Sequence, residues 1–154
     1  MTYRIEPLAG HDRAGFTSGS AALDRYFREQ VTQDARRRVA NCFVAVDADG
    51  DVTGYYTICV TALSPEALRL ARAKKLSRYD SVPAVLLGRL AVAKEHRGQG
   101  LGAALVFDAC QRTTRSEIAA YGVLVEAKDE NTTRFYEHLG FERLSAGRRL
   151  IRRR

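Results

Sequence analysis

The segment Arg97-Gly98-Gln99-Gly100-Leu101-Gly102 sets three glycines at alternate positions, directly after an arginine and directly before a run with helical spacing. Bare backbone at the start of a helix presents several N–H groups and the positive end of the helix dipole to one spot, which suits a diphosphate. Gly100 and Gly102 let such a group reach the main chain without meeting a Cβ, and Arg97 stands beside them to share its charge. Glycines also mark tight strand-to-helix turns. Against that plainer reading, each glycine in a helix interior costs roughly 1 kcal/mol of helix propensity.

Two other phosphate motifs compete for the same residues. Gly98-x-Gly100-x-x-Ala103 fits a dinucleotide fingerprint, with Glu126 at the end of "GVLVE" as the ribose-binding acid. Residues Ala93 to Arg97 nevertheless separate the preceding apolar run from the first glycine, where the fingerprint wants an immediate turn. Only 52 residues follow Gly102 (154 − 102), too few for the rest of a nucleotide fold. A Walker A loop is excluded because no Gly-Lys-Ser/Thr follows the glycines.

The elements that must position this loop follow from local pattern. "AVLLGRLAV", ahead of it, is a near-continuous apolar run of strand length and predicts a central strand covered on both faces. Gly100 to Arg115 reads as a helix, with Arg112 and Arg115 near its carboxyl end where cations suit the dipole. Upstream, Leu23, Tyr26, Phe27 and Val31 have the spacing of an amphipathic helix. "NCFVAVDADGDVTGYYTICV" then reads as a hairpin turning at Asp49-Gly50. Ser64 and Pro65 open a short basic helix, "PEALRLARAKKL", which ends before Tyr79 and Pro83. Downstream come the strand "GVLVEA", the helix "NTTRFYEHL" closed by Gly140 as a left-handed cap, and a last strand or hairpin from Phe141.

Composition bounds the rest. A chain of 154 residues with 45% hydrophobic and 28% charged residues is one soluble domain's worth, expected over 1–154. No apolar run approaches a membrane span and no signal-peptide core opens the chain, so the expected location is cytoplasmic, without a membrane partner. Cys42, Cys59 and Cys110 lie among apolar neighbours and read as buried free thiols; His11, His96 and His138 have no ligand spacing, so no metal is expected. Net charge is +7, and the cations cluster around Arg25–Arg38, around Arg69–Arg78 and in the last seven residues. Any one cluster reads as a solvated face; three together suit a nucleic-acid or nucleotide partner.

At this point the residues resemble a known family, the GNAT N-acetyltransferases, whose central motif has the form Arg/Gln-x-x-Gly-x-Gly/Ala. Arg97-Gly98-Gln99-Gly100-Leu101-Gly102 fits it, preceded by "RLAV" and followed by "FYEHLGF" about 34 residues later. The resemblance implies an α+β GNAT acetyltransferase fold, a central mixed, mostly antiparallel sheet flanked by helices. It implies that the loop Arg97, Gly98, Gln99, Gly100, Leu101, Gly102 binds the pyrophosphate of acetyl-CoA, and that Leu90, Ala91 and Val92 pair with its pantetheine arm. Phe135 is then a cofactor contact, and Tyr136 lies near the sulfur. Over nearly the whole chain the sequence is similar to the GNAT toxins of bacterial toxin–antitoxin modules. Members of that group acetylate the α-amino group of aminoacyl-tRNA, block translation, and are neutralised by ribbon-helix-helix antitoxins; the likeness also suggests a homodimer.

Acetyl transfer needs an unprotonated amine and a proton for the departing thiolate. A free α-amino group has a pKa of about 7.7–8.0 and an adjacent ester lowers it, which fits the absence of an evident His–Glu dyad. Tyr136 is the candidate general acid, since a phenol of pKa about 10 is protonated at neutral pH. For RNA the candidates are Arg36, Arg37 and Arg38 with Arg78 and Arg89 nearer the cleft, contacts that bring salt dependence and not sequence specificity. Arg89 interrupts an apolar strand, so it meets either a carboxylate inside the fold or the active-site groove. Two departures from the family pattern stand out: "RRLIRRR" as a basic tail, and Asp129 where many members have an Asn near the cofactor arm. An acceptor that is a small amine or a protein amino terminus, and a basic module without catalysis, remain open at this stage.

Overall fold

The computed structural model describes residues 2–69, 78–144 and 148–153. Its seven strands form one mixed sheet in the order β1-β2-β3-β4-β5-β7-β6. The chain runs β1 (Arg4–Pro7), α1 (Ala21–Glu29), α2 (Val31–Arg36), β2 (Asn41–Val46), β3 (Val52–Leu63), α3 (Pro65–Arg69) and β4 (Val82–Val92). It continues with α4 (Leu101–Arg115), β5 (Gly122–Glu126), α5 (Glu130–His138), β6 (Glu142–Arg143) and β7 (Arg149–Arg153). Pairing is antiparallel for β1 with β2, β2 with β3, β5 with β7 and β6 with β7, and parallel for β4 with β5. Parallel neighbours need a long crossover, which α4 supplies. The mixed, mostly antiparallel sheet is the architecture the sequence implied.

Contacts divide the chain into two compact units. One comprises Met1–Cys59 with Gly88–Ala109, the other Val60–Leu87 with Cys110–Arg154. In the first, Phe27 stacks on Tyr55 with ring centroids 4.3 Å apart, Phe16 meets both edge-on, and Val31, Val44, Val46 and Ala91 close the core around them. Phe27 of α1 and Val31 of α2 are two of the residues whose helical spacing marked an apolar face. In the second, Leu63, Val82, Ala84, Leu124, Leu144 and Ile151 form the core.

Most sequence expectations hold, with four corrections. The early helical pattern is two helices: Gln30, at φ −118°, separates α1 from α2. Eight residues of straight helix span about 12 Å, and the bend lets the Tyr26 hydroxyl donate to Asp34 at 2.7 Å. Strand β1 went unforeseen, because "RIEP" is a short edge strand without clear alternation. β4 is central in strand order but not covered on both faces: Leu87 and Ala91 are buried while Gly88 is exposed and Arg89, Leu90 and Val92 are half-buried. The basic carboxyl segment is not a tail. It forms β7, in register with β5 from Gly122↔Arg153 to Glu126↔Arg149, and buries Leu150 and Ile151 between arginines.

The hairpin turns where expected, with Gly50 at φ +85°. There the Asp47 carboxylate accepts the N–H groups of Asp49 and Asp51, 3.0 Å each, so the turn accounts for the gathering of three carboxylates. Gly140 is the left-handed residue ending α5, at φ +94°. Cys42 and Cys110 are buried and Cys59 half-buried, all with free thiols. Beyond Arg69 the segment expected as a basic helix, with Arg72, Lys74 and Lys75, lies outside the described residues.

Candidate active site

In the first unit, the end of β4 and the start of α4 carry the expected cofactor residues Leu90 to Val92 and Arg97 to Gly102. After Val92 the chain is pinned by the Ala93 N–H on the Thr53 carbonyl, 2.8 Å, and by the Lys94 N–H on the Thr17 carbonyl, 3.0 Å. A 3-10 turn over Lys94–His96 leads to Arg97. Gly98 and Gly100 then take φ +76° and +78°, the left-handed region, and an added Cβ at either would meet nothing within 4 Å. Two left-handed residues facing open space are a cradle: the conformation demands glycine and the emptiness leaves the N–H groups reachable. The Gly100 carbonyl accepts from Ala104 N–H at 3.1 Å, which starts α4. The first helical N–H groups have no partner within the helix and point back at the loop. Gly102 differs from its neighbours in lying inside α4, half-buried.

Leu101 is 2% exposed and its side chain packs with Leu105 against Gly54 of β3, which fixes the helix start. Leu90 and Val92 lie half-buried and Ala91 buried on β4 just ahead of the loop. Gln99 is exposed between the two left-handed glycines. Arg97 is engaged elsewhere: its guanidinium donates to the Ser18 carbonyl in the loop before α1.

In the second unit, α5 carries Phe135 and Tyr136. Asp129 caps the helix, accepting the Thr132 N–H and hydroxyl at 2.8 Å each, and those two donors hold its carboxyl below the usual value. Asp129 thus does the capping work that an Asn at this position would also do. The Tyr136 ring meets Phe135 and Phe141 edge-on, with centroids 5.1 and 5.3 Å away. Tyr136 is 5% exposed, and burial pushes its phenol up to about 12. A phenol so placed keeps its proton across the physiological range and has it to donate.

The candidate RNA arginines lie on several elements. Arg36, Arg37 and Arg38 are all exposed at the end of α2, Arg38 in the left-handed region at φ +62°. Arg78 is exposed. The Arg89 guanidinium lies over the Tyr26 ring, whose hydroxyl donates to Asp34, and it is near enough to help hold that carboxyl below its usual value. Sequence reasoning missed Tyr26 in this role, and also Tyr3, whose hydroxyl donates to the Gln99 side chain, and Asp24, whose carboxylate accepts from Ser18. An acid in a helix's first turn was the one available signal, for Asp24.

A bare, left-handed loop at a helix start suits a protein that holds a ligand by its diphosphate. The comparisons agree: the chain belongs to the GNAT acetyltransferase family, whose domain model matches residues 38–143. A tRNA-acetylating toxin of Mycobacterium tuberculosis is 33% identical over 133 residues, 85% of this chain and 78% of its own. The solved structure of AtaT complexed with acetyl-methionyl-tRNAfMet is 28% identical, with TM-score 0.89 over 99% of this chain and 95% of that one. An AtaT variant bound to the C-terminus of the antitoxin AtaR and acetyl-CoA is also 28% identical, with TM-score 0.79 over 98% and 92% of the two chains. Among the described residues no helix is long and apolar enough to cross a membrane.

Proposed function

We infer that this protein is an acetyl-CoA-dependent N-acetyltransferase toxin that acetylates the α-amino group of aminoacyl-tRNA, blocks translation, and is neutralised by an antitoxin. The observation that carries the reading is the Arg97–Gly102 loop, left-handed at Gly98 and Gly100 with open space before both. Likeness to toxins solved with acetylated tRNA, and with antitoxin and acetyl-CoA, supplies the acceptor and the partner.

The main chain of Gly98 to Gly102 and the first turn of α4 hold the pyrophosphate, and Leu90, Ala91 and Val92 hold the pantetheine arm in extended form. Acetyl-CoA supplies an activated acetyl thioester. An N–H of the β4 segment polarises its carbonyl. Tyr136 gives its proton to the sulfur as the C–S bond breaks, and Phe135 packs beside it. The acceptor amine, largely neutral near pH 8 beside its ester, attacks the thioester carbonyl to form the C–N bond as the C–S bond breaks, and the proton it sheds returns to the Tyr136 phenol through solvent. Arg36, Arg37, Arg38 and Arg78 meet RNA phosphates, with Arg89 nearer the acceptor end.

Residues 1–154 act as one catalytic domain, cytoplasmic and homodimeric, and the antitoxin is of the ribbon-helix-helix type. The test is transfer of radiolabelled acetyl from acetyl-CoA in a translation extract. Label is expected on charged tRNA, released by mild alkali that cleaves the aminoacyl ester. Label on small amines or protein amino termini, with translation undisturbed, would replace this acceptor with the other.

A further inference from the structure

The cofactor loop is held from outside itself by the amino-terminal segment, at two points. Tyr3, just ahead of β1, donates its hydroxyl to the Gln99 side-chain oxygen and lies 3.0 Å from Nδ1 of His96. Its ring meets the His96 imidazole at 75° with centroids 5.7 Å apart. The second hold runs through Arg97, which donates to the Ser18 carbonyl. Ser18 is in turn fixed by the Asp24 carboxylate, which accepts its N–H at 3.0 Å and its hydroxyl at 2.6 Å and is 4% exposed. Gly19 is part of the fit: a Cβ there would stand 2.6 Å from the Arg97 guanidinium.

These holds answer a physical need. Glycine loses more conformational freedom on ordering than any other residue. Gly98 and Gly100 also have no packing at their Cβ positions to fix them. Order must therefore come from the side chains between and beside them: Leu101 is buried, and Gln99 and Arg97 are tied by hydrogen bonds. A ligand entering a loop already in place avoids the cost of ordering it. Both ties reach residues 3–24, ahead of the segment 38–143 that matches the family model.

We propose that Tyr3 is a positioning residue for the cofactor loop, acting through Gln99 and His96, with Asp24, Ser18 and Arg97 as the opposite hold. The proposal rests on the loop being the acetyl-CoA pyrophosphate site. Tyr3→Phe removes only the hydroxyl and keeps the ring against His96. In the full chain, the KM for acetyl-CoA is expected to rise about fivefold while kcat and the KM for aminoacyl-tRNA stay, a pattern of lost uniform binding. Amide exchange at Gln99–Leu101 in the ligand-free protein is expected to speed up in parallel. Gln99→Ala should act in the same direction, and the double variant should be no worse than Tyr3→Phe, which already lacks the Gln99 contact.

The proposal is overturned by unchanged exchange in Tyr3→Phe, by faster exchange with an unchanged acetyl-CoA KM, or by additive effects in the double variant. Calorimetric titration of the wild-type protein with acetyl-CoA separates the two readings. No binding there would overturn the cofactor site and the positioning role together, whereas binding with unchanged exchange would overturn the positioning role alone.

Discussion

The Arg89 guanidinium carbon lies 3.6 Å from the centre of the Tyr26 ring, and the Tyr26 hydroxyl donates to Asp34. A cation on the open end of β4 is thereby tied to the bend between α1 and α2. Asp34 is held below its usual pKa by the Tyr26 hydroxyl first, then by Gln30 and the nearby Arg89. Arg89→Met should cost about 0.5–2 kcal/mol from the lost cation–ring contact, read by denaturant unfolding, and should raise the KM for aminoacyl-tRNA. Arg89→Lys should recover part of both. No change in either quantity would make the stack incidental.

Tyr136→Phe keeps the ring between Phe135 and Phe141 and removes the proton donor. The expected result is a loss of roughly 10²–10⁴ in kcat, with acetyl-CoA affinity and the thermal midpoint retained. A variant with near-normal kcat would remove Tyr136 from the chemistry.

The pH dependence follows from the same phenol. Its pKa is raised to about 12, so the proton is present throughout the useful range and the rate should climb as the acceptor amine deprotonates, then hold level to at least about pH 10. The linkage has the sign of a raised pKa: the buried neutral phenol contributes stability that is full below its unfolded value of about 10 and is lost as pH rises from there through about 12. A fall in kcat near pH 8 that disappears in Tyr136→Phe would contradict this assignment.

The three glycines should separate by role. Gly98→Ala and Gly100→Ala force a Cβ into the left-handed region and should cost about 1–2 kcal/mol each, with weaker acetyl-CoA binding. Gly102→Ala, inside α4, should stabilise the fold by about 0.5–1 kcal/mol. If it nevertheless raises the KM for acetyl-CoA, bareness at that position serves the ligand; an unchanged KM would assign it to the turn alone.

Arg38 occupies a left-handed position, φ +62°, where α2 ends and glycine is the usual occupant. Arg38→Gly should stabilise the protein by about 0.5–1 kcal/mol, a rise of a few degrees in melting temperature. If the side chain meets an RNA phosphate, the same variant should weaken aminoacyl-tRNA binding and reduce the salt slope by about 1. Stabilisation without any effect on RNA would remove Arg38 from the interface.

The sequence by itself determined what local pattern can encode. Glycine spacing marked the loop between β4 and α4, Asp49-Gly50 marked the hairpin, Gly140 marked the end of α5, and the two motifs in order carried the family. Each signal is written within a few residues, because backbone conformation and helical or strand periodicity are short-range. Tertiary structure decided the rest. Gln30 bends the early helix so that Tyr26 reaches Asp34, and β7 takes "RLIRR" into the sheet because Leu150 and Ile151 find a core there. Arg89 found an aromatic face and Arg97 a carbonyl 79 positions away. Tyr3, 96 positions from Gln99, had no local mark at all. A charged or polar side chain takes its partner from whatever the folded chain sets beside it, and no spacing along the sequence records that neighbour.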